Sequence, residues 1–106
     1  MAAVRDLHGP ARMASRWRRR RMCVLVADRA APAALREVSA GGAFLETAAR
    51  PPVGARVELR HPDAGAIDAE VSAVGADGIA VTFTYGERSV AFALAAIAAD
   101  MSRPTG

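Results

Sequence analysis

The strongest constraint on the fold of this chain is an alternation of apolar and polar residues that runs through three successive segments. The apolar positions of this alternation are Val57 and Leu59, then Ile67, Ala69, Val71 and Ala73, then Ile79, Val81, Phe83 and Tyr85. Turns rich in glycine and aspartate, at residues 61–65 and 75–78, separate the segments. Period two predicts antiparallel strands with one buried face, and a spacing of about twelve residues is typical of a small barrel.

The first half of the chain adds two strand regions. Residues 22–26 form a short apolar run that predicts a strand. Residues 29–34 contain Pro32 and are interpreted as a connection. A second strand region is expected over residues 35–47, interrupted at residues 39–42, where paired glycines indicate a bulge, a turn or a close approach of the backbone to a ligand.

The last part of the chain has the period of a helix. Apolar residues recur there at helical spacing, namely Val90, Leu94, Ile97, Ala98 and Met101. Ser89 is a candidate cap, and alanine, the best helix former, fills most of the remaining positions. We therefore expect a helix over about residues 89–102, packed on the barrel or on a second subunit.

Composition excludes several classes of protein. A single cysteine, Cys23, rules out a disulfide scaffold, and its place in an apolar strand favours a structural thiol. The longest apolar run, residues 90–99, is half the length of about 20 residues that a membrane-spanning helix needs. No secretion signal is visible, so the expected location is the cytoplasm.

The sequence gives little support to catalysis. It contains no His-Glu-x-x-His, no Gly-x-Ser-x-Gly and no phosphate-binding loop ending in Gly-Lys-Ser/Thr. The two histidines, His8 and His61, lie in the N-terminal segment and beside a proline in a turn, and both are expected to be solvated surface residues. We therefore expect a protein that is not an enzyme and that has neither a metal site nor a cofactor.

Charge divides the chain into two parts. Residues 1–21 contain seven arginines and one acidic residue, Asp6, for a net charge of +6. Residues 22–106 contain seven arginines and ten acidic residues, for a net charge of −3. The interpretation is a basic N-terminal arm over residues 1–21, of the kind that meets anions, and a slightly acidic domain over residues 22–103.

Two short motifs stand in this framework. Residues 16–20 read Arg-Trp-Arg-Arg-Arg, and residues 37–42 read Glu-Val-Ser-Ala-Gly-Gly. Together they resemble the PilZ domain family, whose pattern is Arg-x-x-x-Arg just before the first strand and Asp/Asn-x-Ser-x-x-Gly about twenty residues later. The similarity continues through residues 53–59, 67–74 and 77–83, and covers about residues 16–101. Glu37 departs from the pattern, because the family has Asp or Asn there.

The resemblance implies a fold and a ligand. The fold is a six-stranded antiparallel β-barrel with a C-terminal α-helix, and the ligand is cyclic di-GMP, the bacterial second messenger. Carried over to this chain, Arg16 and Arg20 form a clamp on the phosphates and guanines, with Arg21 as an alternative register. Glu37, Ser39 and Gly42 form a platform for guanine on the barrel.

The favoured function is therefore a cyclic di-GMP receptor or adaptor, in which ordering of the arginine arm signals to a partner protein not yet identified. The alternative is a PilZ-like interaction module that binds protein and no nucleotide. A third hypothesis is a nucleic-acid-binding barrel. It is disfavoured because the strand faces carry Glu58, Asp68 and Glu70 and have no aromatic platform on which bases could stack. A homo-oligomer is left open.

Overall fold

The computed structural model describes residues 21–101, which form a closed barrel of six antiparallel strands followed by one helix. The elements are β1 (Arg21–Val26), β2 (Ala30–Ser39), β3 (Gly42–Glu46), β4 (Arg56–His61), β5 (Gly65–Val74), β6 (Ile79–Thr82) and α1 (Glu87–Met101). Around the barrel the strands follow the order β1-β2-β3-β6-β5-β4. The predicted mainly-β barrel with a C-terminal helix is confirmed. The predicted clamp residues Arg16 and Arg20 lie outside the described residues.

The barrel interior is filled by the side chains that the alternation assigned to one face. Most of the larger buried side chains are aliphatic, namely Leu25, Leu45, Val57, Leu59, Ile67, Val71, Ile79 and Val81, and Phe83 and Phe92 are buried with them. Burying a side chain of this size stabilises a fold by roughly 1.5–3 kcal/mol. Between them lie small residues, Cys23, Ala33, Ala43 and Ala69. A thin core of this kind suits a narrow six-stranded barrel.

The connection expected over residues 29–34 is wrong, because β2 already begins at Ala30. Pro32 pairs with Val24 of β1, although proline has no N–H to donate to a ladder. The Pro32 carbonyl accepts a hydrogen bond from the Thr47 hydroxyl at 2.8 Å, on the side of β2 that faces away from β1. The nitrogen of a strand residue points to the same side as its carbonyl. On that side, β3 pairs with β2 only as far as Ala34. The N–H that Pro32 lacks would therefore have had no strand carbonyl to bond to.

The alternation breaks near the ends of two strands. A bulge in β5 between Val71 and Ala73 reverses the side-chain direction, so Ala73 is exposed rather than buried. β6 ends at Thr82, and Tyr85, expected on the buried face, is 73% exposed. Phe83 stays buried, because its N–H bonds to the Gly41 carbonyl at 2.9 Å and this bond holds the chain against the barrel beyond the end of the strand.

The helix begins two residues earlier than predicted. Ser89 lies in its first turn, where its hydroxyl donates to the Gly86 carbonyl and accepts from the Gly86 N–H, at 3.1 and 3.0 Å. Ser89 therefore ties the first turn back to the residue before the helix instead of capping it from outside. No helix within residues 21–101 is long and apolar enough to cross a bilayer.

The prediction for the packed face of α1 is also wrong. The buried helix residues are Ser89, Phe92, Ala93 and Ala96. The Phe92 ring makes edge-on contacts with Phe83 and His61, at centroid distances of 5.6 and 5.9 Å. The two alanines allow the helix backbone to lie close to the barrel, so the aliphatic residues turn outward: Leu94 is 63% exposed and Met101 is 76% exposed.

The junction of β3 with β6 closes the barrel and depends on two glycines. Gly42 pairs with Thr82 at one end of this ladder, and a Cβ atom at Gly42 would collide with the Val81 carbonyl oxygen. At the other end, Gly78 has a φ of 153°, and a Cβ atom there would collide with the Leu45 carbonyl oxygen. Both positions therefore require glycine for the approach of the neighbouring backbone.

His61 is buried, which corrects its interpretation as a solvated histidine. It ends β4 and is only 4% exposed. Its Nδ1 accepts hydrogen bonds from the N–H groups of Asp63 and Ala64, both at 3.0 Å. Nδ1 must therefore be unprotonated, which leaves the proton of the neutral ring on Nε2, a buried atom that has no hydrogen-bond partner among residues 21–101.

Replacement of Gly42 by alanine should destabilise the fold, because the new methyl group requires β3 and β6 to move apart. We expect a loss of about 2 kcal/mol in the free energy of unfolding, measured by urea denaturation. Gly41→Ala is the matched control, since a Cβ atom there meets only the Ser39 hydroxyl oxygen at 3.8 Å, an ordinary contact. Equal stabilities of the two variants would contradict the requirement for close strand approach.

Acidification should destabilise the protein through His61. Burial lowers the pKa of His61, Arg21 lowers it further, and Asp63 opposes the shift. The unfolded chain therefore binds the proton more readily than the folded one, and stability falls as the pH drops below about 6.5. Urea unfolding at pH 7.5, 6.5 and 5.5 measures this loss.

His61→Asn is the control for this pH dependence, because its side-chain oxygen can accept the same two N–H bonds and does not titrate. The variant should be less stable overall, since it lacks the ring that contacts Phe92. Its stability should change less between pH 7.5 and 5.5 than that of the wild type. An equal loss in both proteins would assign the pH dependence to other groups.

Candidate ligand-binding groove on the outer barrel face

The turn between β2 and β3 is shaped by Ser39 and Gly42, which form the last pair of the ladder. The Ser39 hydroxyl oxygen accepts a hydrogen bond from the Gly41 N–H at 3.1 Å. A serine hydroxyl accepts and donates at the same time, so its hydrogen stays free to bond to a ligand. The turn thus presents an exposed donor beside a position with no side chain.

Glu37, Ser39 and Gly42 lie on the same outer face of the barrel. In the ladder Glu37 pairs with Phe44, and Ser39 pairs with Gly42. Phe44 stands between the buried residues Ala43 and Leu45, so its side chain points outward together with that of Glu37. The structure therefore brings together the three barrel residues that the sequence predicted for the site.

These residues line an open groove of about 420 Å³. Its walls come from the end of β2, the start of β3 and the neighbouring parts of β5 and β6, and include Glu37, Val38, Ser39, Gly41, Gly42, Ala43, Phe44, Ser72, Ala80, Val81 and Thr82. The groove therefore spans the junction at which β3 and β6 close the barrel.

The lining combines an aromatic surface with polar groups at its edge. The Ser72 hydroxyl donates to the Ala80 carbonyl at 3.2 Å, and the Thr82 hydroxyl donates to the Glu70 carbonyl at 3.4 Å. Both hydroxyl oxygens keep lone pairs that can accept a hydrogen bond. With the Glu37 carboxylate and the Phe44 ring, the groove suits a flat ring that has hydrogen-bonding groups on its edge.

Arg21 lies on the opposite face of the sheet. Its side chain points inward with those of Cys23 and Leu25, at the barrel end next to α1. The guanidinium Nη2 lies 3.4 Å from the Ala99 carbonyl oxygen in the last turn of α1, and 3.7 Å from Asp63 Oδ2. Arg21 thus joins the barrel to the helix, and the structure does not bring it into the groove with Glu37.

The basic run of residues 16–21 is attached to the barrel near the groove. β1 begins at Arg21, which pairs with Leu35 of β2. Leu35 lies two residues before Glu37, so the run joins the barrel beside the part of β2 that carries the predicted platform.

Sequence reasoning missed three residues that line the groove, Phe44, Ser72 and Thr82. It also missed Arg36, whose guanidinium lies over the ring of Phe44. Phe44 was recognisable, since it alternates with Ala43 and Leu45 along one strand. The hydroxyl residues carry no signal of their own in the sequence, because their role depends on which strands become neighbours. They lie beside the motif only because β6 pairs with β3 and β5 pairs with β6.

The environment of the Cys23 thiol does not favour a role as a nucleophile. Cys23 is buried in the barrel, and burial raises the pKa of its thiol to about 11. The thiol therefore stays protonated at neutral pH, and a protonated thiol is a poor nucleophile. The expected structural role of Cys23 agrees with this environment.

Comparison of the chain with protein-family models, curated proteins and solved structures gives no match.

Proposed function

We propose that this protein is a PilZ-like receptor for cyclic di-GMP that acts without catalysis. One observation carries the proposal: Glu37, Ser39 and Gly42 share the outer barrel face and line one open groove. Glu37 and Ser39 share this face because they are two positions apart in β2, and Gly42 joins them because it pairs with Ser39 across the turn. The basic run also joins β1 beside this groove.

The chemistry of the ligand fits these groups. Cyclic di-GMP has two negatively charged phosphates and two guanines. The guanidinium groups of Arg16 and Arg20 can bind phosphate oxygens or the acceptor edge of guanine in a forked geometry. Glu37 can accept hydrogen bonds from guanine N–H groups, and Ser39 can donate one. Residues 1–21 carry a net charge of +6, so the charge of the phosphates favours binding beside the arm.

A receptor of this kind needs no reaction to produce a signal. Two phosphates brought beside the basic run reduce the mutual repulsion of its arginines, which favours holding the run against the barrel. The composite surface of arm, nucleotide and barrel then exists only in the bound state. A partner protein that recognises this surface distinguishes the bound state from the empty one.

A second candidate function is a protein-interaction module that binds no nucleotide. The exposed aliphatic face of α1 favours it, with Leu94, Ile97 and Met101 all turned away from the barrel. The contact of Gly42 with the backbone of β6 also accounts for this glycine without a ligand. Nucleotide binding by the wild-type protein separates the two functions.

The clamp residues can be tested by isothermal titration calorimetry with cyclic di-GMP, with GMP and GTP as control ligands. The wild type should bind with a dissociation constant on the order of micromolar, equivalent to about −8 kcal/mol. Arg16→Ala and Arg20→Ala should each weaken binding by about 2 kcal/mol, because a charged ligand group loses its partner.

Arg12→Ala is the matched control for the clamp, since it removes the same charge from the arm outside the motif. It should change affinity much less than either clamp variant. No binding heat and no chemical-shift change at high ligand excess would favour the interaction module. Equal losses for all three variants would indicate general charge attraction rather than a clamp.

Glu37 is the position at which this chain departs from the family pattern. Aspartate or asparagine there is shorter by one methylene, and the carboxylate of Glu37 adds a negative charge near the ligand phosphates. Glu37→Asp and Glu37→Asn should therefore keep the fold and tighten binding of cyclic di-GMP by roughly 1 kcal/mol, through a better-placed hydrogen bond. Parallel titrations in one buffer measure this difference.

Asp68→Asn is a control for the removal of a negative charge, because Asp68 lies on the exposed face of β5 and pairs with Glu58 away from the groove. It should leave affinity nearly unchanged. Weaker binding by both Glu37 variants would show that the groove is adapted to the longer glutamate side chain.

A further inference from the structure

We infer that Arg36 is an additional ligand-binding residue of the groove. Its guanidinium donates hydrogen bonds to O6 and N7 of a guanine, while the Phe44 ring supports the guanidinium from one face. The inference rests on the proposed function and assigns guanine specificity to a residue outside both sequence motifs. It starts from an irregularity in β2 beside Glu37.

The irregularity is a bulge between Leu35 and Glu37. In a regular strand, neighbouring side chains point to opposite faces, so Arg36 and Glu37 would be separated by the sheet. The inserted residue leaves Arg36 without a pairing partner on β3, and its side chain turns to the outer face. Bulges are frequent beside binding sites, where they redirect a side chain in this way.

Two contacts hold the Arg36 guanidinium on the outer face. Its Cζ atom lies 5.2 Å from the centroid of the Phe44 ring, within the range of a cation–π contact. Its Nη1 atom lies 3.3 Å from Glu46 Oε2. Both partners belong to β3, and Phe44 also lines the groove. The guanidinium is thus held against Phe44, a residue that lines the groove, without the help of a ligand.

The orientation leaves binding capacity on the guanidinium. Its side chain is 38% exposed, and the ion pair with Glu46 engages Nη1. A guanidinium has five N–H donors in a fixed fork, so Nε and Nη2 still carry donors. Its planar face is also a surface on which an aromatic base can stack.

Arg36 and Glu37 together offer guanine a complementary set of groups. The O6 and N7 atoms of guanine accept hydrogen bonds and match an arginine fork. The N1–H and N2–H₂ groups on the adjacent edge donate and match the Glu37 carboxylate. Adenine has an amino donor in place of O6, so a donor of Arg36 would face a donor of the base. The pair therefore selects guanine over adenine.

The test compares cyclic di-GMP with cyclic di-AMP, which has the same phosphates and differs in the bases. Both are titrated into the wild type, Arg36→Gln, Arg36→Lys and Phe44→Leu. Arg36→Gln should weaken cyclic di-GMP binding at least about fivefold and change cyclic di-AMP binding little, because the forked contact is specific to guanine. Arg36→Lys keeps the charge without the fork, so it should lose most of the preference for guanine.

Phe44→Leu tests the support of the guanidinium. Leucine keeps an apolar residue on the outer face and removes the ring, so this variant should shift the preference in the same direction by a smaller factor. Arg56→Gln is the matched control, because Arg56 is an exposed strand arginine on β4, outside the groove. Unchanged thermal unfolding temperatures show that a loss of binding is not a loss of fold.

The outcomes separate this inference from the proposed function. If the wild type binds cyclic di-GMP and Arg36→Gln keeps the same affinity and the same preference over cyclic di-AMP, the role of Arg36 is overturned and the proposed function stands. An equal loss for both nucleotides would make Arg36 a general phosphate contact and would also overturn its role in reading guanine. If the wild type binds neither nucleotide, both proposals fail.

Discussion

The approach of β3 to β6 is the contact on which the rest of this structure depends. Together with the pairing of β1 with β4, it joins the strands of the first half of the chain to those of the second and closes the barrel. Each end of this ladder has a glycine, Gly42 or Gly78, whose missing side chain makes room for a carbonyl of the neighbouring strand. Close approach also brings Thr82 of β6 beside the turn at Ser39, so barrel closure and the candidate groove have the same origin.

Because of this shared origin, the Ser-x-x-Gly part of the motif does not by itself indicate a ligand. Gly42 is required by the Val81 backbone, and the Ser39 hydroxyl holds the turn through the Gly41 N–H. Both residues therefore have structural roles in this barrel that do not depend on a ligand. The specific evidence for nucleotide binding must come from groups that the fold does not need, such as the exposed Glu37 carboxylate and the arginines that precede β1.

The sequence predicted the barrel well where burial on one face controls the pattern. Val57 and Leu59 alternate strictly and are buried as expected. The prediction failed where three-dimensional packing overrides local preference. Pro32 was interpreted as a strand breaker, but it is compatible with β2 because no strand pairs with that side of it. The helix face was misassigned because the ring of Phe92 finds two aromatic partners at the barrel end, and this contact outweighs the longer aliphatic stripe that includes Leu94.

The candidate site was predictable only in part, and the reason is the bulge in β2. Residue spacing placed Glu37 and Ser39 on one face, since they are two positions apart in an extended strand. The same rule assigns Arg36 to the opposite face. Nothing in its sequence context marks a bulge there, because no glycine or proline lies beside it. The bulge follows Leu35, the last residue of β2 that pairs with β1 within the described residues, and it is defined by the pairing of β2 with β3. A side chain placed by such a long-range constraint becomes a candidate for binding only once the neighbouring strands are known, as the contact of Arg36 with Phe44 shows.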